Sequence, residues 1–154
     1  MRILHICETA RGGVGTYIDT LIDLEKPFTQ SRVVIPDAHR SILSLDADAV
    51  TFPYVRRSIL ALLHMLRVSL RERLSFKPDI VFCHSTFSLL ALMVLRPLSP
   101  KAHFIYCAHG WAGAREMANH RKAKFIRFAE GYLAQLAHRI VNVSQSDLQH
   151  ARSC

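Results

Sequence analysis

The sequence predicts an α/β protein built on a doubly wound parallel sheet, and three observations carry that prediction. Short runs such as RILHIC (Arg2–Cys7) and DIVFCH (Asp79–His84) are apolar with little alternation, as strands covered on both faces require. Segments with helical apolar spacing separate these runs, so each strand is followed by a crossover. The first strand also runs straight into ARGGVGTYIDT (residues 10–20), where three glycines crowd a strand-to-helix turn.

The elements follow in order. Arg2–Cys7 is the first strand. Thr16–Leu24 reads as a helix with Tyr17, Ile18, Leu21, Ile22 and Leu24 inward, stopped by Pro27. Arg32–Ile35 is a second strand, ended by Pro36-Asp37. Ser41–Asp48 is ambiguous, and Val50–Val55 is a weaker third strand. Arg56–Leu74 is a long amphipathic helix. After the breaker Lys77-Pro78, Asp79–His84 is the fourth strand. Ser88–Leu95 is a short apolar helix closed by Pro97 and Pro100, and Ala102–Ala108 is the fifth strand. Ala123–Ala137 is helical, and Arg139–Val143 is the sixth strand. The result is a Rossmann-like sheet of about six or seven strands. Ligands of such sheets bind beyond the carboxyl ends of the strands. That rule selects Glu8–Gly15, His84-Ser85-Thr86, His109-Gly110-Trp111 and Ser144-Gln145-Ser146.

Composition narrows the function classes. Half of the 154 residues are apolar and 21% are charged, a globular balance that excludes disorder. The longest apolar run, around Leu89–Leu95, is too short for a membrane span of about 20 residues. The chain enters a strand at once, without the pattern of a signal peptide, so a cytoplasmic setting is expected. Cys7, Cys83, Cys107 and Cys154 show no CxxC spacing, and the first three sit in apolar runs as small hydrophobes. The net charge of +8 points to an anionic partner, or else to a basic surface kept for solubility. No basic platform interleaved with aromatics is visible, so nucleic acid is not expected.

The glycine turn poses the main question. A dinucleotide fingerprint requires G-x-G-x-x-G; Gly13-x-Gly15 supplies the first pair, but Ile18 occupies the third position. No G-x-x-x-x-G-K-[ST] motif is present, which excludes a P-loop. The remaining reading is a turn whose N–H groups meet an anion or a sugar hydroxyl at a helix N-terminus, or glycines needed only to bend the chain sharply. His84 and His109 each follow a strand, and together beside the turn they suggest a site. Cys7, Cys83 and Cys107 would lie near these histidines and raise the idea of zinc, which would need several of these residues turned to one point on the sheet; no metal is expected. On a helical wheel, Ile59, Leu63, Leu66, Leu70 and Leu74 form a stripe for the core. Arg56, Arg57, His64, Arg67 and Arg71 gather beside it, a face for anions, for a membrane or simply for solvent. Ser144-x-x-Asp147 reads as a capping box opening a last helix of about two turns, so the chain looks like part of something longer.

RILHICETARGGVGTY, PDIVFCHS (Pro78–Ser85), YCAHGW (Tyr106–Trp111) and RFAEGYLAQLAHRIVNVSQSD (Arg127–Asp147), taken in order, resemble the N-terminal domain of retaining GT-B glycosyltransferases of family 4. The resemblance covers residue 2 to about 150 and implies one half of a GT-B fold. It implies that residues 1–154 form the acceptor-side domain, with a donor-binding C-terminal domain absent from this sequence. It implies a nucleotide diphosphate sugar as co-substrate, with no other cofactor, and a sugar or lipid-linked acceptor in bacterial cell-surface polysaccharide or glycolipid synthesis. His109 would serve the reacting centre. Gly12, Gly13, Gly15, His84, Ser85, Gly110 and Ser144 would bind substrate. The arginines Arg56, Arg57, Arg67 and Arg71 would hold the domain at the inner face of a membrane. Two rivals remain, an NAD(P)-binding Rossmann enzyme and a non-enzymatic module for anionic membranes.

Overall fold

The computed structural model describes residues 1–44, 47–111 and 120–152; Cys154 lies outside them. Six strands form one all-parallel sheet: β1 (Arg2–Ile6), β2 (Gln30–Pro36), β3 (Ala49–Phe52), β4 (Ile80–Cys83), β5 (His103–Ala108) and β6 (Arg139–Asn142). Their order is β3-β2-β1-β4-β5-β6, so the connection reverses direction between β1 and β4. That reversal is the switch point at which a doubly wound sheet opens a crevice.

The helices are α1 (Gly13–Glu25), α2 (Ile59–Phe76), α3 (Ser88–Leu98), α4 (His120–Ala134) and α5 (Gln145–Ala151). A 3₁₀ turn over Asp37–Ile42 takes in the start of the ambiguous Ser41–Asp48 stretch. The period of two along each strand divides the core. Leu4, Ile6, Val81, Cys83, Phe104 and Tyr106 face α2, α3 and α4. Ile3, His5, Phe82 and Cys107 occupy the alternate positions, with Tyr17 and Leu21 of α1 packed against the apolar ones. Leu24, expected inward, is exposed, because the buried turns of α1 use Gly15, Ile18 and Ile22.

The longest helix departs most from expectation. The Ser58 hydroxyl accepts from the Ala61 N–H at 3.2 Å and caps α2, so Arg56 and Arg57 precede the helix. Its buried stripe is Ala61, Met65, Ser69, Glu72 and Phe76. At about 100° per residue this lies about 140° from the expected leucine stripe. Leu66 and Leu70 flank the core, but Ile59, Leu63 and Leu74 are exposed. Two causes are visible. The small Ala61 and Ser69 let the helix approach the sheet, and Glu72 binds Arg32 of β2 at 2.8 Å in an ion pair that fixes its rotation.

Candidate functional site

The switch point places the ends of β1, β4 and β5 side by side, and the residues that leave them build one pocket. Thr9 and Val14 come from the glycine segment, His84, Ser85, Thr86 and Phe87 from the end of β4, and Tyr106, His109 and Gly110 from β5. Arg57 closes the wall. The pocket encloses about 80 Å³, against roughly 300–1,000 Å³ for a small-molecule site, so it is too small to hold such a ligand by itself. A larger depression of about 490 Å³ lies at the opposite edge, between Arg73, Lys77, Asp79 and Lys101. It is far from the histidines.

The glycines divide the work. Gly12 has φ of 69° and caps α1, and Gly13 has open space where a Cβ would stand. Gly15 is buried, and a Cβ there would sit 2.6 Å from the Ala10 carbonyl oxygen and 2.3 Å from Ile42 Cγ2. Its role is close packing, and none of the three lines the pocket that Thr9 and Val14 line. Ser85 does line it, but its hydroxyl accepts from the Ser88 N–H at 3.2 Å in the first turn of α3. Gly110, at φ of 89°, turns the chain beside His109. Ser144 caps α5, accepting from the Asp147 N–H at 3.0 Å, and stands outside the pocket. The serine half of the expected capping box is formed, and the Ser144 hydroxyl itself donates to the Asp147 carboxylate at 2.7 Å.

Arg57, expected on the membrane face, is instead bound to Glu8, with about half of its side chain still exposed. It donates to both carboxylate oxygens of Glu8, at 3.0 and 2.7 Å, and lies over the Phe87 ring. Glu8 is buried and also accepts from Tyr54 Oη at 3.1 Å. The Glu8 hydrogen bond is the main cause that holds the Arg57 guanidinium above its ordinary value. Arg56, Arg67 and Arg71 are exposed. Arg67 and Arg71 share the outer surface of α2 with Leu60, Leu63 and Leu74.

Four groups run in a line beneath α1. His109 Nε2 stands 3.3 Å from His84 Nδ1, His84 Nε2 stands 3.0 Å from His5 Nδ1, and His5 Nε2 stands 3.1 Å from Glu25 Oε2. His5 and His84 are buried, and Tyr17 packs edge-on to both His84 and His109. Burial, reinforced by the imidazoles of His5 and His109, holds His84 well below the ordinary histidine value. Burial also lowers His109, with Asp147 acting in opposition. Glu130, buried on α4, ties the opposite side of the site, accepting from Thr86 Oγ1 at 2.7 Å and from Tyr106 Oη at 3.2 Å. His5, Glu25 and Glu130 are not among the residues the sequence singles out, whereas Glu8 falls in the selected Glu8–Gly15 stretch and Tyr17 among the inward residues of the first helix, neither with an assigned role. Only His5 carries a signal there, as a polar residue inside an apolar strand.

The cysteines behave as small hydrophobes. Cys83 packs on the α3 side of the sheet, away from the histidines it was expected to approach. His84, Cys107 and His109 bring three ligand atoms within 4.8 Å of one another. Burial pushes the Cys107 thiol up to about 11, and both His84 nitrogens already have hydrogen-bonding partners. His84 and His109 are joined by a hydrogen bond within this group.

A family model described as a glycosyl transferase 4-like domain matches residues 12–153. The chain belongs to that family. A curated relative from Klebsiella pneumoniae, an uncharacterized 41.2 kDa protein in a cps region, is 26% identical over 139 residues, 88% of this chain and 38% of the relative. Among solved structures, sucrose-phosphate synthase from Thermosynechococcus elongatus superposes with a TM-score of 0.76 at 12% identity, covering 99% of this chain and 45% of that one. HepE from Anabaena, in complex with UDP, gives 0.68 at 15% identity over 99% and 40%. The galactosyltransferase WaaB of the lipopolysaccharide outer core gives 0.65 at 16% identity over 99% and 42%. This glycosyl transferase 4-like domain therefore spans about two-fifths of the length of these relatives. The match favours neither the NAD(P) reading nor the non-enzymatic one.

Proposed function

We propose that this chain is the acceptor-side domain of a retaining, nucleotide-sugar-dependent glycosyltransferase in cell-surface polysaccharide or glycolipid synthesis. The observation that carries the reading is the meeting of His109, Gly110 and His84 with Thr9 and Val14 of the glycine segment on one cleft wall, at the carboxyl edge of a family sheet. The cps-region relative supports a cell-surface product, and the UDP held by the HepE structure supports a nucleoside diphosphate donor. Most of the donor contacts would come from a second domain. There the leaving diphosphate is stabilised electrostatically, with no obligatory metal.

This domain positions the acceptor hydroxyl, which is worth several kcal/mol of barrier when the geometry is held. His109 stands at the reacting centre, oriented by its bond to His84. The exposed Arg67, Arg71, Leu60 and Leu63 on α2 suit an anionic bilayer, and a lipid-linked acceptor would then be met at the cytoplasmic face. Among the described residues, no helix is long and apolar enough to cross a membrane.

Transfer by the full-length enzyme from a nucleotide sugar to its acceptor is the test. His109→Ala should lower turnover about 10²-fold or more. Unchanged turnover would remove His109 from the reacting centre.

A further inference from the structure

We infer that Glu25, His5 and His84 form a buried positioning relay that fixes His109 in a single tautomer, with Nε2 protonated and Nδ1 left as the acceptor. The inference rests on the reading of His109 given above. The line runs diagonally across one face of the sheet, from the C-terminal end of α1 to the carboxyl edge. His5 is level with Phe82, and the strand continues to His84, so alternate residues put both imidazoles on the α1 side.

The direction of the proton order follows from its end. An ionised carboxylate only accepts, and Glu25 already accepts from Ser31 Oγ at 2.7 Å. A neutral His5 therefore donates from Nε2 and accepts at Nδ1. His84 must then donate from Nε2 to His5 and accept at Nδ1. His109 in turn donates from Nε2 to His84, and its Nδ1 lone pair remains. One carboxylate at the far end thus sets the ring nitrogen that meets an acceptor hydroxyl. Among the described residues, the other polar groups around His109 include Tyr17 from α1, Cys107 on its own strand, Asp147 from α5, and Thr9, Arg57, Ser85, Thr86 and Tyr106 of the pocket lining.

Imidazole nitrogen shifts in the ¹⁵N-labelled protein read these tautomers directly. The wild type should show Nε2–H at His5, His84 and His109. A protonated Nδ1 on neutral His109 would overturn the relay without any variant. Glu25→Gln keeps the shape but ends the line in an amide, which can donate or accept. It should give mixed tautomers at His109 and lower kcat of the full-length enzyme about 10-fold or more, with KM little changed, as loss of a histidine's orienting partner does. Glu25→Asp, acceptor-only again, should restore the tautomer and part of kcat. A Gln variant that stays wholly Nε2–H with full kcat would refute the relay. If the tautomers obey but His109→Ala keeps full turnover, the relay stands and the reacting-centre reading falls. If His109→Ala is inactive and the tautomers disobey, the relay alone falls.

Discussion

His84 shows how one residue couples the site to stability. Burial above all, and then its two imidazole neighbours, keep it neutral in the folded chain. In the unfolded chain it returns to about 6.5. Below that pH the unfolded state binds a proton the folded state refuses, so stability falls as pH drops from about 6.5 towards the folded value. Glu25 acts at lower pH. Burial works to raise its carboxyl, but the bonds from His5 and Ser31 outweigh burial and hold it below the ordinary value. Its contribution is present above about 4.3 and is lost as pH falls through the folded value. Thermal melting from pH 7 to 3 should therefore show a decline beginning near 6.5 and a second at lower pH. His84→Gln should reduce the first decline, leaving the shares of His39, His109 and His138, which are also depressed. An unchanged upper decline would mean that His84 is protonated in the folded protein. Arg57 is the second residue to test. Removing it leaves the buried Glu8 with Tyr54 as its only other side-chain partner among the described residues. Arg57→Ala should cost about 1–3 kcal/mol in chemical denaturation. Arg57→Lys should recover only part, since an ammonium lacks the two-pronged fork. Full stability of the alanine variant would show that Glu8 does not need Arg57 as a partner.

At the scale of elements, the strands were legible because a buried parallel strand needs an unbroken apolar run, and IVFC and HFIYCA provide one. The rotation of α2 was hidden. Hydropathy selects Leu63 and Leu74, whereas the sheet accepts Ala61 and Ser69 because they are small, and Glu72 because Arg32 neutralises it. Long-range partners of this kind leave no local pattern. The same limit concealed the relay: His5 and Glu25 lie 79 and 59 residues from His84, and only the β1–β4 register aligns them. The glycine turn was legible as a turn, but the separate duties of its glycines were not. These duties predict opposite outcomes for one substitution. Gly15→Ala drives a methyl against the Ala10 carbonyl, which is backbone and cannot rotate away, and should cost about 1–3 kcal/mol. Trimming the other neighbour with Ile42→Ala should not restore it. Gly13→Ala meets open space and should leave the melting temperature nearly unchanged. Equal tolerance at both positions would show that the segment yields.

At the scale of the whole molecule, the positive charge and the exposed apolar side chains coincide. The net charge is +8, and on α2 the exposed Ile59, Leu60, Leu63 and Leu74 interleave with Arg67 and Arg71. A face that served solubility alone would carry the charges without the leucines. On α4, a helix of the same layer, Phe125, Phe128 and Tyr132 are exposed as well. Each basic residue near an anionic surface contributes about 1 kcal/mol, screened by salt, while apolar insertion responds little to salt. The two contributions can therefore be separated. The protein should co-sediment with vesicles containing anionic phospholipid, bind neutral vesicles weakly, and lose part of its binding in high salt. Arg67→Glu with Arg71→Glu should abolish the salt-sensitive part, and Leu60→Ser with Leu63→Ser the residual part. Both pairs are on the outer surface, so melting temperature should hold and exclude unfolding as the cause. Arg57→Glu should act through stability instead, because that side chain is bound to Glu8. Equal retention by neutral and anionic vesicles, or full binding by the double arginine variant, would reduce the face to solvated surface and favour a soluble acceptor.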